Sequence, residues 1–142
     1  LLPKFQKKLP LPKKIILTPH IGEAAILLNT SKENIKKNRI KSALKISKKF
    51  SAVVVLKGKH SVICWKDKYF ICEKGNAGMA TGGMGDVLSG IISSFVAQKM
   101  TLLNAACLGV DLHAQAADEY ADALSENSLT PTDVLEIVKE LV

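Results

Sequence analysis

Residues 75–90 read GNAGMATGGMGDVLSG. Gly82, Gly83 and Gly85 stand directly before Asp86, and Asp86 heads an apolar run. Glycine tolerates positive φ and lets a ligand approach the backbone closely. Successive bare N–H groups can form an anion-binding nest. A helix N-terminus adds unpaired donors and a favourable dipole. The stretch therefore suits a phosphate, including the charge that develops during phosphoryl transfer. It is neither of the common glycine fingerprints: no Lys follows the glycines as in a P-loop, and a dinucleotide motif counted from Gly83 would need a third glycine where Leu88 stands. Asp86 has two readings. A carboxylate stabilises a helix N-terminus wherever one occurs. It can also act as the base that takes a proton from a hydroxyl attacking a phosphate.

Positioning such a turn requires a frame, and the chain supplies one. IILT (15–18) is a short apolar run closed by Pro19 and reads as a buried strand, followed through a Thr-Pro-His turn by a helix over 22–28. Ser31 is placed to cap a helix over roughly 32–49, with Ile35, Ile40, Leu44 and Ile46 near helical spacing. AVVVLK (52–57) is apolar and β-branched on consecutive positions, the pattern of a strand covered on both faces. Strand, helix and strand make a βαβ-like unit. SVICW (61–65) and KYFIC (68–72) read as a hairpin around Lys66 and Asp67, although neither Asn-Gly nor Asp-Gly supplies the turn. A two-residue turn would pair Cys64 with Tyr69 and put Cys72 opposite Ser61, which argues against a cross-strand disulfide. Beyond the glycines, Val87, Leu88, Ile91, Ile92, Phe95 and Val96 predict a helix buried along a broad face. An Ala-rich helix over 102–123 follows, and Thr130, Pro131 and Asp133 open a last helix that runs to about Leu141.

The 142 residues are 47% hydrophobic and 23% charged, which fits one folded domain with an aliphatic core. The net charge of +7 favours anionic partners. The lysines gather at 4–14 and 32–49 without interleaved aromatics, so they read as solvated faces rather than a nucleic-acid surface. Cys64, Cys72 and Cys107 form no Cys-x-x-Cys and are expected as free thiols of a reducing, cytoplasmic compartment. No signal peptide and no run long enough to span a membrane is visible. Residues 1–13 hold three prolines and several lysines and read as a basic leader ahead of a domain over 14–142. The chain opens on Leu1, which raises the expectation of a piece of something longer.

NAGMATGGMGDVLSGII resembles the signature of the ADP- or ATP-dependent NAD(P)H-hydrate dehydratases, members of the ribokinase-like superfamily. LTPHIGE (17–23) is similar to that family's Leu-Thr-Pro-His-Pro-Gly-Glu, with Ile21 in place of proline. VLKGKHSVI (55–63) resembles its nucleotide strand, and AACLGVDLHAQAAD (105–118) its Ala-rich helix. The resemblance runs from about residue 14 to the end. It implies a three-layer α/β/α fold of which this chain is the C-terminal portion, with a mostly parallel sheet, a hairpin and flanking helices. It implies repair of hydrated NADH or NADPH, in which the ring hydroxyl is phosphorylated by ADP or ATP and phosphate then leaves.

Carried over by position, the resemblance makes Asp86 the catalytic base and a contact of the hydrate, with His20 as a second substrate contact. Lys57, Gly58, Lys59, His60 and Ser61 become the nucleotide segment, Asn76 a rim residue, and Gly83 and Gly85 the anion hole. Mg²⁺ is expected mainly with the nucleotide phosphates, since no residues show metal-ligand spacing. His20 in a loop after proline also fits a plain backbone-satisfying role, Lys57 a solvated strand tip, and His113 a structural position. Met84 stands where the family usually has Thr, a neutral change if the anion hole uses backbone amides and a costly one if it uses the hydroxyl. The family's N-terminal half has no counterpart here, so a homo-oligomer or completion by such a half is expected. A ribokinase-like small-molecule kinase and a non-catalytic fragment or subunit are the competing readings.

Overall fold

The computed structural model describes residues 14–142, and the predicted leader over 1–13 lies outside them. The described chain forms two compact units, one ending at Ile71 and one spanning Cys72–Val142.

The first unit contains β1 (Ile16–Leu17), α1 (Ile21–Leu28), α2 (Lys32–Lys37), α3 (Arg39–Phe50), β2 (Val53–Leu56), β3 (Val62–Trp65) and β4 (Lys68–Ile71). The strands lie side by side in chain order. β1 and β2 pair in parallel, which is the predicted βαβ unit. The expectation of a mostly parallel sheet holds only for that pair. β2–β3 and β3–β4 are antiparallel, so the described sheet is mixed. All four residues of β2 are buried, as the unbroken apolar run requires. Val54 and Leu56 join Ala24 and Leu27 of α1, Ile35 of α2, and Ala43, Ile46 and Phe50 of α3 in one core cluster.

Two local departures have identifiable causes. The helix predicted over 32–49 is two helices, broken at Asn38. The Asn38 amide turns back to donate to the Asn34 carbonyl (3.2 Å) and side chain (3.0 Å), an alternative to continuing the helix. The hairpin forms in the expected register, with Cys64 opposite Tyr69, and Lys66 adopts φ 57°. The buried Ser47 hydroxyl replaces the missing turn chemistry: it donates to the Ala52 carbonyl (2.7 Å) and accepts from the Lys66 N–H (3.1 Å). One side chain thus ties the end of α3, the entry to β2 and the hairpin turn.

The second unit holds α4 (Met84–Ala97), α5 (Leu102–Ala123) and α6 (Pro131–Leu141), with short 3₁₀ turns at Ala77–Ala80 and Glu126–Ser128. Thr130 and Asp133 build the capping box anticipated for the last helix. Met84, Ile91, Ala116, Ala117, Leu129, Val134 and Val138 form its core. Alanine and glycine on α5 let α4 approach closely: a Cβ on Gly109 would lie 2.6 Å from Ile92 Cγ1. The three cysteines are free, and burial pushes the Cys64 thiol up to about 11, which keeps it protonated and inert.

His113 of α5 is buried, as its structural assignment requires, and burial pushes its imidazole down to about 4 even though the Met84 backbone favours the cation. The folded state therefore resists a proton that the unfolded chain accepts near pH 6.5. Stability is complete above that value and declines as pH falls toward about 4. Denaturant unfolding at pH 7.5 and 5 should show a loss of about 1–2 kcal/mol that is absent in His113→Leu. An equal loss in both proteins would assign it to other groups.

Candidate functional site

Each unit carries its own share of the residues singled out in the sequence. In the first, the parallel pairing of β1 and β2 brings two carboxyl ends together, the edge at which open α/β sheets bind ligands. The Lys57 N–H donates to the Pro19 carbonyl at 2.9 Å, so the segment after β2 lies directly beside the turn that carries His20.

His20 fills the backbone-satisfying role, one of its two readings. Its Nδ1 accepts the Glu23 N–H (3.1 Å) while Glu23 Oε2 accepts the His20 N–H (2.8 Å), a capping box at the start of α1. With Nδ1 serving as acceptor, the neutral ring carries its proton on Nε2. The side chain is 61% exposed, so that proton is available to a ligand.

Lys57 to Ser61 form a tight turn. Gly58 has φ 136°, a conformation that side chains rarely adopt, and His60 has φ 55°. Ser61 Oγ donates to the Gly58 carbonyl at 3.1 Å. The residue that holds the turn escaped the sequence reading. Arg39, the only arginine in the chain, donates through Nη2 to the carbonyls of Leu56 (3.2 Å) and His60 (3.1 Å). The guanidinium fills the space beside Gly58, where a Cβ would sit 2.9 Å from Nη1. Burial lowers its pKa from the usual arginine value. Lys59 and His60 are exposed, and Lys57 is half-buried.

In the second unit, Asn76 begins the approach to the glycine turn. Its amide donates to the Ala117 carbonyl (2.8 Å) and to Asp118 Oδ1 (3.0 Å), and its Oδ1 accepts the Gly78 N–H (3.1 Å). Asp118 Oδ2 also accepts the Gly75 N–H at 2.8 Å. Asn76 is thus fixed by the long helix α5. Asp118 lay inside the similar Ala-rich stretch, but its partners are over forty positions away in sequence and only the fold reveals its role.

Gly83 is the N-cap of α4, at φ 94°. α1, α2, α5 and α6 each have a side chain that closes the first turn, from His20, Ser31, Thr101 and Thr130. α4 has none, and α3, the other helix without a cap bond, follows directly on α2 through Asn38. The turn at Gly82 and Gly83 is exposed, and no heavy atom lies within 4 Å of a Cβ placed on Gly82. Asp86 is the third residue of α4 and is exposed. Its N–H donates to the Gly83 carbonyl at 3.0 Å. Met84 turns its side chain into the core and is 3% exposed. At this turn the groups available to an anion are backbone amides, because position 84 contributes no hydroxyl. Among the described residues no three His, Cys, Asp or Glu side chains gather as metal ligands. No described helix is long and apolar enough to cross a membrane.

Replacing Arg39 by methionine keeps the stem and removes both carbonyl contacts. We expect a loss of about 1–3 kcal/mol in denaturant unfolding, from one half-buried and one exposed carbonyl left without a charged donor. Amide exchange should quicken at Lys57–Ser61 before it does elsewhere in the first unit. Unchanged exchange there would show that the turn holds without the guanidinium.

A family model described as NAD(P)H-hydrate dehydratase matches residues 4–140. A bifunctional NAD(P)H-hydrate repair enzyme of Coxiella burnetii is 45% identical over 130 residues, covering 89% of this chain and 26% of that protein. The ADP-dependent (S)-NAD(P)H-hydrate dehydratase of Neisseria meningitidis is 47% identical over 107 residues, covering 75% of this chain and 36% of that protein. Among solved structures, the ADP/ATP-dependent NAD(P)H-hydrate dehydratase of Bacillus subtilis, co-crystallised with ATP and Mg²⁺, superposes with a TM-score of 0.87 at 29% identity. That match covers 94% of this chain and 50% of the other. A ribokinase-like superfamily protein of Enterococcus faecalis gives 0.81 at 28% identity, over 96% of this chain and 47% of the other, and the fold is accordingly ribokinase-like α/β. The chain spans about half the length of these solved structures and between a quarter and about a third of the curated relatives.

Proposed function

The chain belongs to the NAD(P)H-hydrate dehydratase family, and from that membership we propose that it carries the phosphoryl-transfer half of a nucleotide-dependent cofactor-repair reaction. The observation that carries the proposal is the uncapped, exposed N-terminus of α4, with Gly83 in the left-handed region and Asp86 in the same turn.

In this reading the substrate is NADH or NADPH hydrated on the nicotinamide ring, and the phosphoryl donor is ADP or ATP. Asp86 takes the proton from the ring hydroxyl as its oxygen attacks the terminal phosphorus. The P–O bond to the remaining nucleotide breaks, and the amides of Gly83 and Gly85 hold the charge on the transferring group. The ring nitrogen then expels phosphate from the adjacent carbon. Loss of the neighbouring proton restores the ring double bond, so the net change is loss of water while the nucleotide gives up one phosphate. Phosphate leaves far more readily than hydroxide, which is the purpose of the nucleotide. His20 donates from Nε2–H to the hydrate, and Asn76 forms the rim of the turn. Lys57, Gly58, Lys59, His60 and Ser61 hold the nucleotide, with backbone donors in a fixed turn and two lysines for its charge.

Mg²⁺, which the B. subtilis enzyme was crystallised with together with ATP, would be held here mainly by the phosphates. It would supply charge neutralisation to the transferring group. The free thiols of Cys64, Cys72 and Cys107 fit a cytoplasmic setting, where nicotinamide cofactors are used. Activity is proposed for the protein to which this chain belongs, either as an oligomer or completed by an N-terminal half.

The test is recovery of reduced-nicotinamide absorbance from hydrated NADH or NADPH with Mg²⁺ and ADP or ATP. Asp86→Asn preserves shape and removes the base, and should lower the rate about 10²–10⁴-fold while leaving nucleotide affinity nearly unchanged. A stable phosphorylated product without recovery of absorbance would favour a small-molecule kinase. An active Asp86→Asn protein would remove Asp86 from the chemistry.

A further inference from the structure

The glycine turn is reached through a largely exposed stretch whose one regular element is the 3₁₀ turn Ala77–Ala80. Packing alone gives such a stretch little to hold it in one course. Hydrogen bonds supply the hold, and they form an unbroken series. Asp118 of α5 accepts the Asn76 amide at Oδ1 (3.0 Å) and the Gly75 N–H at Oδ2 (2.8 Å). Asn76 Oδ1 accepts the Gly78 N–H (3.1 Å). The Gly78 carbonyl accepts the Thr81 hydroxyl (2.8 Å). The Thr81 carbonyl accepts the Met84 N–H (3.4 Å). The series thus ends on the peptide that joins Gly83 to Met84. The carbonyl of that same peptide accepts the Asp86 N–H (3.0 Å) and the Val87 N–H (3.1 Å), the bonds that close the first turn of α4.

Neither end of the series is explained by core packing. Thr81 is exposed, and its hydroxyl is turned to the Gly78 carbonyl. Both Asp118 oxygens serve this segment, and among the described residues no ion pair includes Asp118. The middle of the series is backed by the segment that leads into α6. A Cβ at Gly78 would run into the Glu126 carbonyl, and one at Gly83 would lie 3.1 Å from Pro131 Cγ. The stretch is therefore pinned from two sides, although α4 itself has no side-chain cap. From this arrangement we infer that Asp118 and Thr81 are positioning residues: through Asn76 and Gly78 they set the Gly83–Met84 peptide, and with it the turn that carries the Gly83 and Gly85 amides and Asp86. Neither touches the phosphate, and both act through the backbone.

This role deepens the phosphate reading of the turn and rests on it, and one set of variants separates the two. Amide hydrogen exchange is measured without nucleotide on the parent chain, Thr81→Val, Thr81→Ser, Asp118→Asn and the Thr81→Val, Asp118→Asn double variant, and Mg·ADP affinity is then measured by calorimetry. Valine keeps the shape of an exposed side chain and removes the hydroxyl, and asparagine turns an NH₂ toward a donor. In Thr81→Val and in Asp118→Asn the amides of Met84, Asp86 and Val87 should exchange about fivefold to tenfold faster, with a similar rise in Kd for Mg·ADP and parental protection along α5 and α6. Serine retains the donor and should keep parental rates. Asp118→Asn should add less than about twofold once residue 81 is valine, because a series broken at its last link transmits nothing from its first. Parental exchange at Met84, Asp86 and Val87 in Thr81→Val overturns the inference. So do single effects that multiply in the double variant, an increase spread evenly over α5 and α6, or faster exchange with a parental Kd. A parent chain that binds no Mg·ADP refutes the phosphate reading, and the exchange data then decide by themselves whether Asp118 and Thr81 hold the turn.

Discussion

An α-helix begins with backbone donors that nothing inside the helix can satisfy. Four helices of this chain meet that requirement with a side chain from His20, Ser31, Thr101 or Thr130. α4 does not, and its N-cap is a glycine in the left-handed region. Leaving those donors open to water is tolerable only if the turn that bears them is held from elsewhere. Much of the second unit can be understood as that support. Asp118 and the Ala117 carbonyl anchor Asn76 and Gly75 on one side. The buried Met84 side chain anchors the turn from below. The result is a turn in which the Gly83 and Gly85 amides have no partner among the described residues, the kind of donor a phosphate needs.

The first unit solves a related problem with a cation. The turn at Lys57–Ser61 contains two residues at positive φ, Gly58 and His60. Arg39 supplies donors to both ends of that turn at once, a geometry a planar guanidinium can reach and an ammonium cannot. The break at Asn38 makes this possible, because it starts a new helix with Arg39 at its first position. The helix interruption, the lone arginine and the glycine with no room for a Cβ are therefore parts of one device.

The elements were largely legible where local pattern decides. The continuous run of β2, the caps at Ser31 and Thr130 and the Cys64–Tyr69 register all follow from spacing and turn length. The start of α4 at Gly83, with Asp86 in its first turn, was legible because glycines ahead of an apolar run at helical spacing mark a helix start. What the sequence concealed depends on distant partners. Arg39 acts on residues 17 and 21 positions away, and Asp118 on residues over forty away. The hairpin turn looked chemically weak because its stabiliser, Ser47, lies 19 residues earlier. The mixed sheet was hidden for a similar reason. Buried strands look alike in sequence whether their neighbours run parallel or antiparallel, and here only the β1–β2 crossover carries a helix.

The central claim is that the first-turn amides of α4 receive a phosphate. The most direct test is a backbone amide chemical-shift titration of the isotope-labelled chain with Mg·ADP. The account predicts that the largest saturable shifts fall on Gly82 to Val87, with a second group at Lys57–Ser61, and that inorganic phosphate reproduces the first group alone. Saturable shifts that leave Gly82 to Val87 unmoved would contradict it and place the nucleotide elsewhere on the protein.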